Sequence, residues 1–339
     1  MDNNISIIAF TENGRNLINK IQKSMEINLD IWNSEEEPVR DFIARKYVNT
    51  NGFIFIGAIG IVFRLLKDHI TTKDKDPFVV VCDDRANYII PVLSGHIGGG
   101  NEFATKLAIK LNAIPVLTTA TDVNNKFAID VWAKKHNCQI IPISNIKHIT
   151  KNILEDTAIG LQCNFKTVSP YPFSVNLSET KVGVSIGLNS EYEPFEKTLH
   201  IIPKIITVGV GCRKNTDINK FEKFILETLS NLDISIHAVE QICSIELKSN
   251  EPCILKFSEK YNIPFHTATA DALNEIEGNF PTSEFVKKIT GVDNVCERSA
   301  KLFSNNGDII LHKTSFDSMT ISIAKKDWEC NFEYNNVIH

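Results

Sequence analysis

The chain repeatedly passes from a short, wholly apolar run through a glycine-bearing turn into a segment with helical spacing, and few folds accommodate that order. Phe53-Ile-Phe-Ile56 leads through Gly57-Ala-Ile-Gly60 into Ile61 to Leu66. Ile89 to Leu93 leads through Ser94-Gly-His-Ile-Gly-Gly-Gly-Asn101 into Phe103, Ala104, Leu107, Ala108 and Leu111. Continuous apolar runs are strands covered on both faces, and a stripe of apolar residues three and four apart is a helix lying on a sheet. Alternation of the two predicts a mostly parallel sheet. Ile5 to Phe10, followed by Leu17, Ile18 and Ile21, fits the same scheme, as do a strand within Ile27 to Trp32 and a helix from Pro38 to Tyr47. Phe78 to Cys82 and Tyr88 to Leu93 are joined only by Asp83-Asp-Arg-Ala-Asn87, which predicts a hairpin. Ile114 to Leu117 reads as a further strand that delivers Thr118-Thr-Ala-Thr-Asp122 at its carboxyl end.

Beyond Asn124 the pattern loosens. A helix through Val131-Trp132, a strand at 139–141 and a helix ending near Asp156 precede β-like runs at 173–175, 181–187 and 199–202. After Pro203-Lys204 the strand-to-helix order resumes. Strands are expected at 205–210, 263–266, 308–313 and 320–324, and helices at 217–232, 251–261, 283–289 and 294–303. The fold class is therefore α/β. It comprises an N-terminal domain with a mostly parallel sheet (1–125), a small mixed β-rich middle domain (126–203) and a second α/β domain (204–328). A tail over 329–339 is expected to fray. A chain of 339 residues is too long for one ordinary core, which agrees with this division.

Composition excludes several classes. A net charge of -5, from 36 basic and 41 acidic residues, lacks the basic face that duplex DNA requires, so no nucleic-acid partner is expected. No apolar stretch reaches the ~20 residues of a membrane helix, and no signal core is present, so a cytoplasmic, membrane-free protein is expected. The eight cysteines are scattered without a C-x-x-C pair, which suggests reduced, packed thiols and neither a zinc finger nor a disulfide framework. Neither a dinucleotide nor a phosphate-loop glycine motif occurs, and there is no H-E-x-x-H or serine elbow.

The chemistry concentrates at three strand ends. In Ser94-Gly-His-Ile-Gly-Gly-Gly-Asn-Glu102, Asn101 reads as a helix N-cap, Glu102 as a first-turn carboxylate and His96 as a proton carrier tunable near neutral pH. Ser94, Gly95, Gly98, Gly99 and Gly100 allow close approach of backbone to an anion; the plainer reading is a tight turn carrying a loop histidine. Gly57 and Arg64 form a second candidate, with Arg64 equally suited to a surface ion pair. Thr118, Thr119 and Asp122 form a third, or a capped loop. In the C-terminal part, Gly209, Gly211, Arg213 and Lys214 of Val208-Gly-Val-Gly-Cys-Arg-Lys-Asn-Thr216 suit an anionic substituent. They equally suit glycine-mediated packing with Thr216 as N-cap and two solvated cations. Cys212 beside those cations is a weak nucleophile candidate, and Asp83 with Asp84 reads as turn chemistry.

Gly57-Ala-Ile-Gly-Ile-Val-Phe-Arg64, Asp76-Pro-Phe-Val-Val-Val81, Leu93 to Ala104 and Thr118 to Asp122, in this order and spacing, resemble the cobalt-precorrin-5A hydrolase family of anaerobic cobalamin biosynthesis. Val208 to Arg213, Gly291-Val-Asp-Asn-Val-Cys-Glu297 and Lys313 resemble the C-terminal domain of the same family. Ile97 stands where the family pattern usually has a basic residue, and Gly100 where it has alanine. The resemblance implies opening of the ring A δ-lactone and loss of the C20 two-carbon unit as acetaldehyde, giving cobalt-precorrin-5B. Cobalt then arrives with the corrinoid substrate and no separate cofactor is implied; transient hand-over to other enzymes of the pathway is expected. For that chemistry we expect His96 as general base or acid and the amides of Gly98 to Asn101 as oxyanion donors. Glu102 or Asp122 would orient His96 or water. The alternatives are a non-catalytic tetrapyrrole carrier using the same pockets and, more distantly, an enzyme of phosphorylated metabolites.

Overall fold

The computed structural model describes residues 4–72, 75–176 and 180–333. Two compact units emerge among them, one of residues 4–134 with 153–155 and the other of 135–152 with 156–333. In the first, the elements run β1 (Ile5–Ala9), α1 (Glu12–Met25), β2 (Leu29–Ile31), α2 (Val39–Lys46), β3 (Gly52–Ile56), α3 (Ile59–Leu66), β4 (Phe78–Cys82), β5 (Tyr88–Leu93), α4 (Gly100–Leu111), β6 (Ile114–Pro115), α5 (Ala120–Val123) and α6 (Ile129–Lys135). The six strands form one sheet in the order β2-β1-β3-β4-β5-β6. β1 to β4 are mutually parallel, β5 turns back against β4, and β6 runs parallel to β5.

The continuous apolar runs are explained by burial of both sheet faces. Alternate residues Ile5, Ile7, Ile54, Ile56 and Val80 pack with Ile18 and Ile21 of α1 and Leu107 and Leu111 of α4. Their neighbours Ile8, Phe53, Phe55, Val79 and Val81 pack with Phe42 and Ile43 of α2 and Val62 and Leu66 of α3. Each such side chain, fully removed from water, contributes about 1.5–3 kcal/mol before entropy is counted. The predicted hairpin is present, and Asp83 closes its turn by accepting from the Arg85 and Tyr88 amides.

The second unit contains two sheets. β7 (Cys138–Ile141), α7 (Ile146–Leu154), β8 (Gly160–Cys163), β9 (Val182–Ile186) and β10 (Lys197–Pro203) precede β11 (Ile206–Gly211), α8 (Ile218–Ser230), β12 (Val239–Ile245), α9 (Pro252–Tyr261) and β13 (Phe265–Ala268). Three helices, α10 (Ala270–Asn274), α11 (Glu284–Thr290) and α12 (Val295–Phe303), and the strands β14 (Asp308–Phe316) and β15 (Met319–Lys325) complete it. The first sheet is β7-β10-β9-β8, mixed in direction, and the second is β13-β12-β11-β15-β14. Each of the three sequence-defined parts carries one sheet, and the middle and C-terminal sheets lie within a single compact unit. The segment expected to fray is packed as far as it is described: Cys330 pairs with Thr167, and the buried Phe332 ring meets Tyr171 and Phe173. Residues 334–339 lie outside the described residues.

Several local expectations are corrected. Strands β8 and β12 have no counterpart in the sequence reading. Gly99, at φ 89°, is the N-cap of α4, so Asn101 lies inside the first turn with its side chain free for other partners. Asp217 caps α8, whereas the Thr216 hydroxyl donates to the Arg213 carbonyl. Gly209 is a packing residue: a Cβ there would lie 1.9 Å from the Cys296 carbonyl oxygen, so only glycine lets α12 rest on β11. At Gly211 a Cβ would meet the Thr320 hydroxyl at 2.6 Å. We predict that Gly209→Ala lowers unfolding free energy by at least about 2 kcal/mol in urea denaturation, because overpacking against backbone has no flexible atom to yield.

Candidate active site

β5 ends at Leu93, and Ser94 takes a left-handed backbone, φ 50°, that turns the chain out of the sheet. Its Oγ is buried with no hydrogen-bond partner among the described residues, a local strain of the kind found at functional sites. The loop then folds tightly on itself. A Cβ on Gly95 would strike the Asn101 side chain at 2.4 Å, and one on Gly98 would strike Ser94 at 2.4 Å. These glycines therefore serve close self-packing. The amides of Gly99, Gly100 and Asn101 donate to the carbonyls of His96, Ser94 and Gly95 at 2.9, 3.2 and 2.9 Å. Three of the four amides expected as oxyanion donors, Gly98 to Asn101, are therefore committed within the loop.

What the loop holds in place is His96. Its Nε2 lies 3.3 Å from Asp122 Oδ2 and 3.2 Å from Thr121 Oγ1, and its Nδ1 lies 3.4 Å from Asp130 Oδ2. Asn101 Nδ2 donates to Asp122 Oδ2 at 2.6 Å and to Thr119 Oγ1 at 2.9 Å, tying α4 to the segment that follows β6. Asp130 comes from the start of α6, which the fully buried Trp132 anchors. The imidazole side chain is only 15% exposed. Burial by itself disfavours its charge, but hydrogen bonds and charge from Asp122 and Asp130 outweigh that and raise the His96 pKa to about 9. Asp122 is held below its ordinary value: burial opposes this, and His96 and the Asn101 and Thr119 side chains overcome it. The raised pKa favours the protonated ring at neutral pH, with both ring nitrogens facing acidic side chains.

The other predicted residues divide. Asp122, Asn101 and Thr119 join His96, and Thr118 lies exposed nearby in sequence. Glu102 instead sits on the exposed side of α4, paired with Lys106 at 2.8 Å, so the second carboxylate on His96 is Asp130. Asp130 was missed, although a lone acid inside Ala128-Ile-Asp-Val-Trp-Ala133 is a signal that it is held by a partner. Lys134 Nζ donates to the Ile97 carbonyl at 2.7 Å, bringing a cation to the loop where Ile97 itself offers none.

Gly57 and Arg64 do not join this cluster. Val79 pairs with Leu93 and Cys82 with Ile89, so β5 leaves the sheet at the edge where β4 begins. Gly57 leaves β3 at the opposite edge, beside Cys82, to whose carbonyl its amide donates at 2.9 Å. Five residues of strand separate the two edges by about 17 Å. The composite pocket expected from three strand ends is therefore two separate edges. Arg64 is exposed, with its guanidinium donating to the Gly60 carbonyl at 3.3 Å. In the second unit Arg213 and Lys214 are exposed, and cavities of about 380 and 400 Å³ share Asn189 and Asp233.

Comparison with known proteins bears on what this geometry serves. The family described as cobalamin synthesis G N-terminal matches residues 41–122, and that described as cobalamin synthesis G C-terminus matches 206–324. A cobalt-precorrin-5A hydrolase of Salmonella typhimurium is 31% identical over 292 residues, covering 82% of this chain and 83% of that protein. One from Priestia megaterium is 31% identical over 305 residues, covering 84% and 81%. The chain belongs to the cobalt-precorrin-5A hydrolase family. A solved cobalamin biosynthesis protein G homolog from Sulfolobus solfataricus is 24% identical, with a TM-score of 0.41 over 96% of this chain and 98% of that one. In this hydrolase-family chain the N-terminal match includes His96, Asn101 and Asp122 but stops short of Asp130. No helix among the described residues is long and apolar enough to cross a membrane.

The His96 cluster makes stability pH-dependent in a defined direction. The folded chain holds the proton more tightly than the unfolded one, whose histidine titrates near 6.5. The pairing therefore stabilises the fold fully below pH 6.5, by up to about 3 kcal/mol, and is lost as pH rises through about 9. We predict a His96 ring-proton NMR titration centred near 9 in the native protein, and a lower midpoint in Asp122→Asn.

Proposed function

We propose that the chain hydrolyses cobalt-precorrin-5A, opening the ring A δ-lactone and releasing the C20 two-carbon unit as acetaldehyde to leave cobalt-precorrin-5B. The relatives' activity supplies the substrate, and the observation that carries the site is the His96 imidazolium clamped between Asp122 and Asp130. Water adds to the lactone carbonyl and the acyl–oxygen bond breaks, so the carbonyl becomes a carboxylate and the former ring oxygen must gain a proton. His96 supplies that proton by giving up its contact with Asp122 or Asp130; of the attacking water's two protons, one recharges His96 and the other passes to solvent. The positive charge of His96 also favours the oxyanion that forms on addition of water. The C20 hydroxyl so released then loses its proton as the bond from C20 to the macrocycle breaks, the carbon leaves as acetaldehyde, and the macrocycle takes up a proton.

Asp122 and Asp130 are positioning residues in this reading: they hold the ring in orientation from its two nitrogens, the Asn101 amide fixes Asp122 in turn, and the Thr121 hydroxyl meets Nε2 of the ring itself. Cobalt is part of the substrate and takes no step of its own here. Hand-over to other pathway enzymes and a cytoplasmic location belong to the same proposal.

Acetaldehyde release from cobalt-precorrin-5A by the purified chain tests it. His96→Ala is expected to lower kcat by about 10²–10⁴-fold, the usual worth of a positioned proton donor, while Glu102→Gln stays within a few-fold. Binding of the corrinoid without release by the unaltered chain would instead make it a carrier.

A further inference from the structure

The Gly-Cys-Arg turn after β11 has a partner that the sequence reading did not connect with it. Cys212 Sγ lies 3.7 Å from Cys253 Sγ, and Cys253 Sγ lies 4.0 Å from Glu251 Oε1. One ligand atom from each of the three residues falls within 4.8 Å of the others. Glu251 and Cys253 are 5% and 0% exposed, whereas Cys212 is half-buried and closes the cluster on its outer side.

We propose that Cys212, Cys253 and Glu251 form a binding site for a zinc-class divalent ion, zinc(II) or cobalt(II), resident in the protein and distinct from the cobalt of the substrate. Spacing is the first argument. Two thiolates about 2.3 Å from a tetrahedral ion stand about 3.8 Å apart, close to what is seen, whereas a disulfide needs about 2.05 Å. Donor chemistry is the second: two thiolates with one carboxylate suit a borderline ion and not magnesium or calcium, which take all-oxygen shells.

Placement of the ligands is the third argument. Glu251 is the N-cap of α9 yet makes no side-chain cap hydrogen bond; its carboxylate is turned to the cluster and is steadied by the Asn215 amide at 2.8 Å. Cys253 stands in the first turn of α9, on the same helix start as Glu251. Lys248 Nζ lies 3.3 Å from Glu251 Oε2. Three anionic ligands, a divalent ion and that ammonium sum to neutrality, so the buried site carries no uncompensated charge. Three protein donors leave a fourth position for water, as in open zinc sites. The sequence spacing hides all this, because Cys212 and Cys253 come from different strand-to-helix turns.

Full-length protein, reduced and stripped with a chelator, is titrated with cobalt(II) chloride without oxygen. The site predicts one equivalent bound with the sulfur-to-cobalt charge-transfer and intense visible bands of a tetrahedral thiolate complex, bleached by zinc(II). Cys212→Ser, at the half-buried position, is expected to weaken binding at least tenfold with unchanged circular dichroism, and Glu251→Gln to shift the bands. In the unaltered protein, zinc(II) should slow alkylation of Cys212, read by mass spectrometry, so that the answer does not depend on any variant folding. Absence of thiolate bands at one equivalent together with unprotected Cys212 would overturn the site. Equal uptake by Cys212→Ser would overturn it too.

Discussion

The first unit's site depends on holding one positive imidazolium between two carboxylates away from water. Each of the three charges would be costly to bury alone, and together they stand only because every neighbour supplies a matching hydrogen bond. His96 sees Asp122 on Nε2 and Asp130 on Nδ1; Asp122 also accepts from Asn101, and Thr121 covers Nε2. Much else in the unit follows from that need. The loop after β5 folds on its own glycines because His96 must be presented at a fixed depth. The short β6 brings Thr119 to Asp122 alongside, and Trp132 anchors the helix that carries Asp130.

The direction of β5 decides which sequence motifs can cooperate. In a wholly parallel sheet the turns after β3, β5 and β6 would share one edge, as ligand-binding turns of open α/β sheets do. The hairpin reverses β5, and β6 follows it, so the turns carrying His96 and Asp122 meet at one edge while the Gly57 turn stands at the other. The hairpin is legible from Asp83 to Asn87, yet three strand-end motifs look equivalent in sequence wherever strand direction is left out. Conversely, the pairing of His96 with Asp122 spans 26 residues and crosses a helix, yet the alternation of strand and helix was enough to bring both to neighbouring strand ends.

What stayed hidden has a physical reason in each case. β12 is a central strand, but Glu240 and Gln241 interrupt its apolar run; Gln241 is buried because it donates to Thr207 Oγ1 and the Phe303 carbonyl, a pairing no local pattern reveals. Asp130 hides inside an amphipathic helix start and lies beyond the segment carrying the N-terminal family match. Glu102 looked like a partner for His96 because it is near in sequence, but helical geometry turns it outward to Lys106. Gly209 looked like a ligand loop and is a contact point for α12, since glycine serves close approach to backbone as well as to a ligand.

The central claim is that His96 acts as a cation that gives a proton, kept charged by two acids. The pH dependence of kcat for acetaldehyde release tests it most directly. A proton donor with a pKa near 9 predicts a plateau through neutral pH and an alkaline fall centred near 9, displaced to lower pH in Asp130→Asn. A rate that instead climbs through that range, or an alkaline fall that Asp130→Asn leaves in place, would contradict the account.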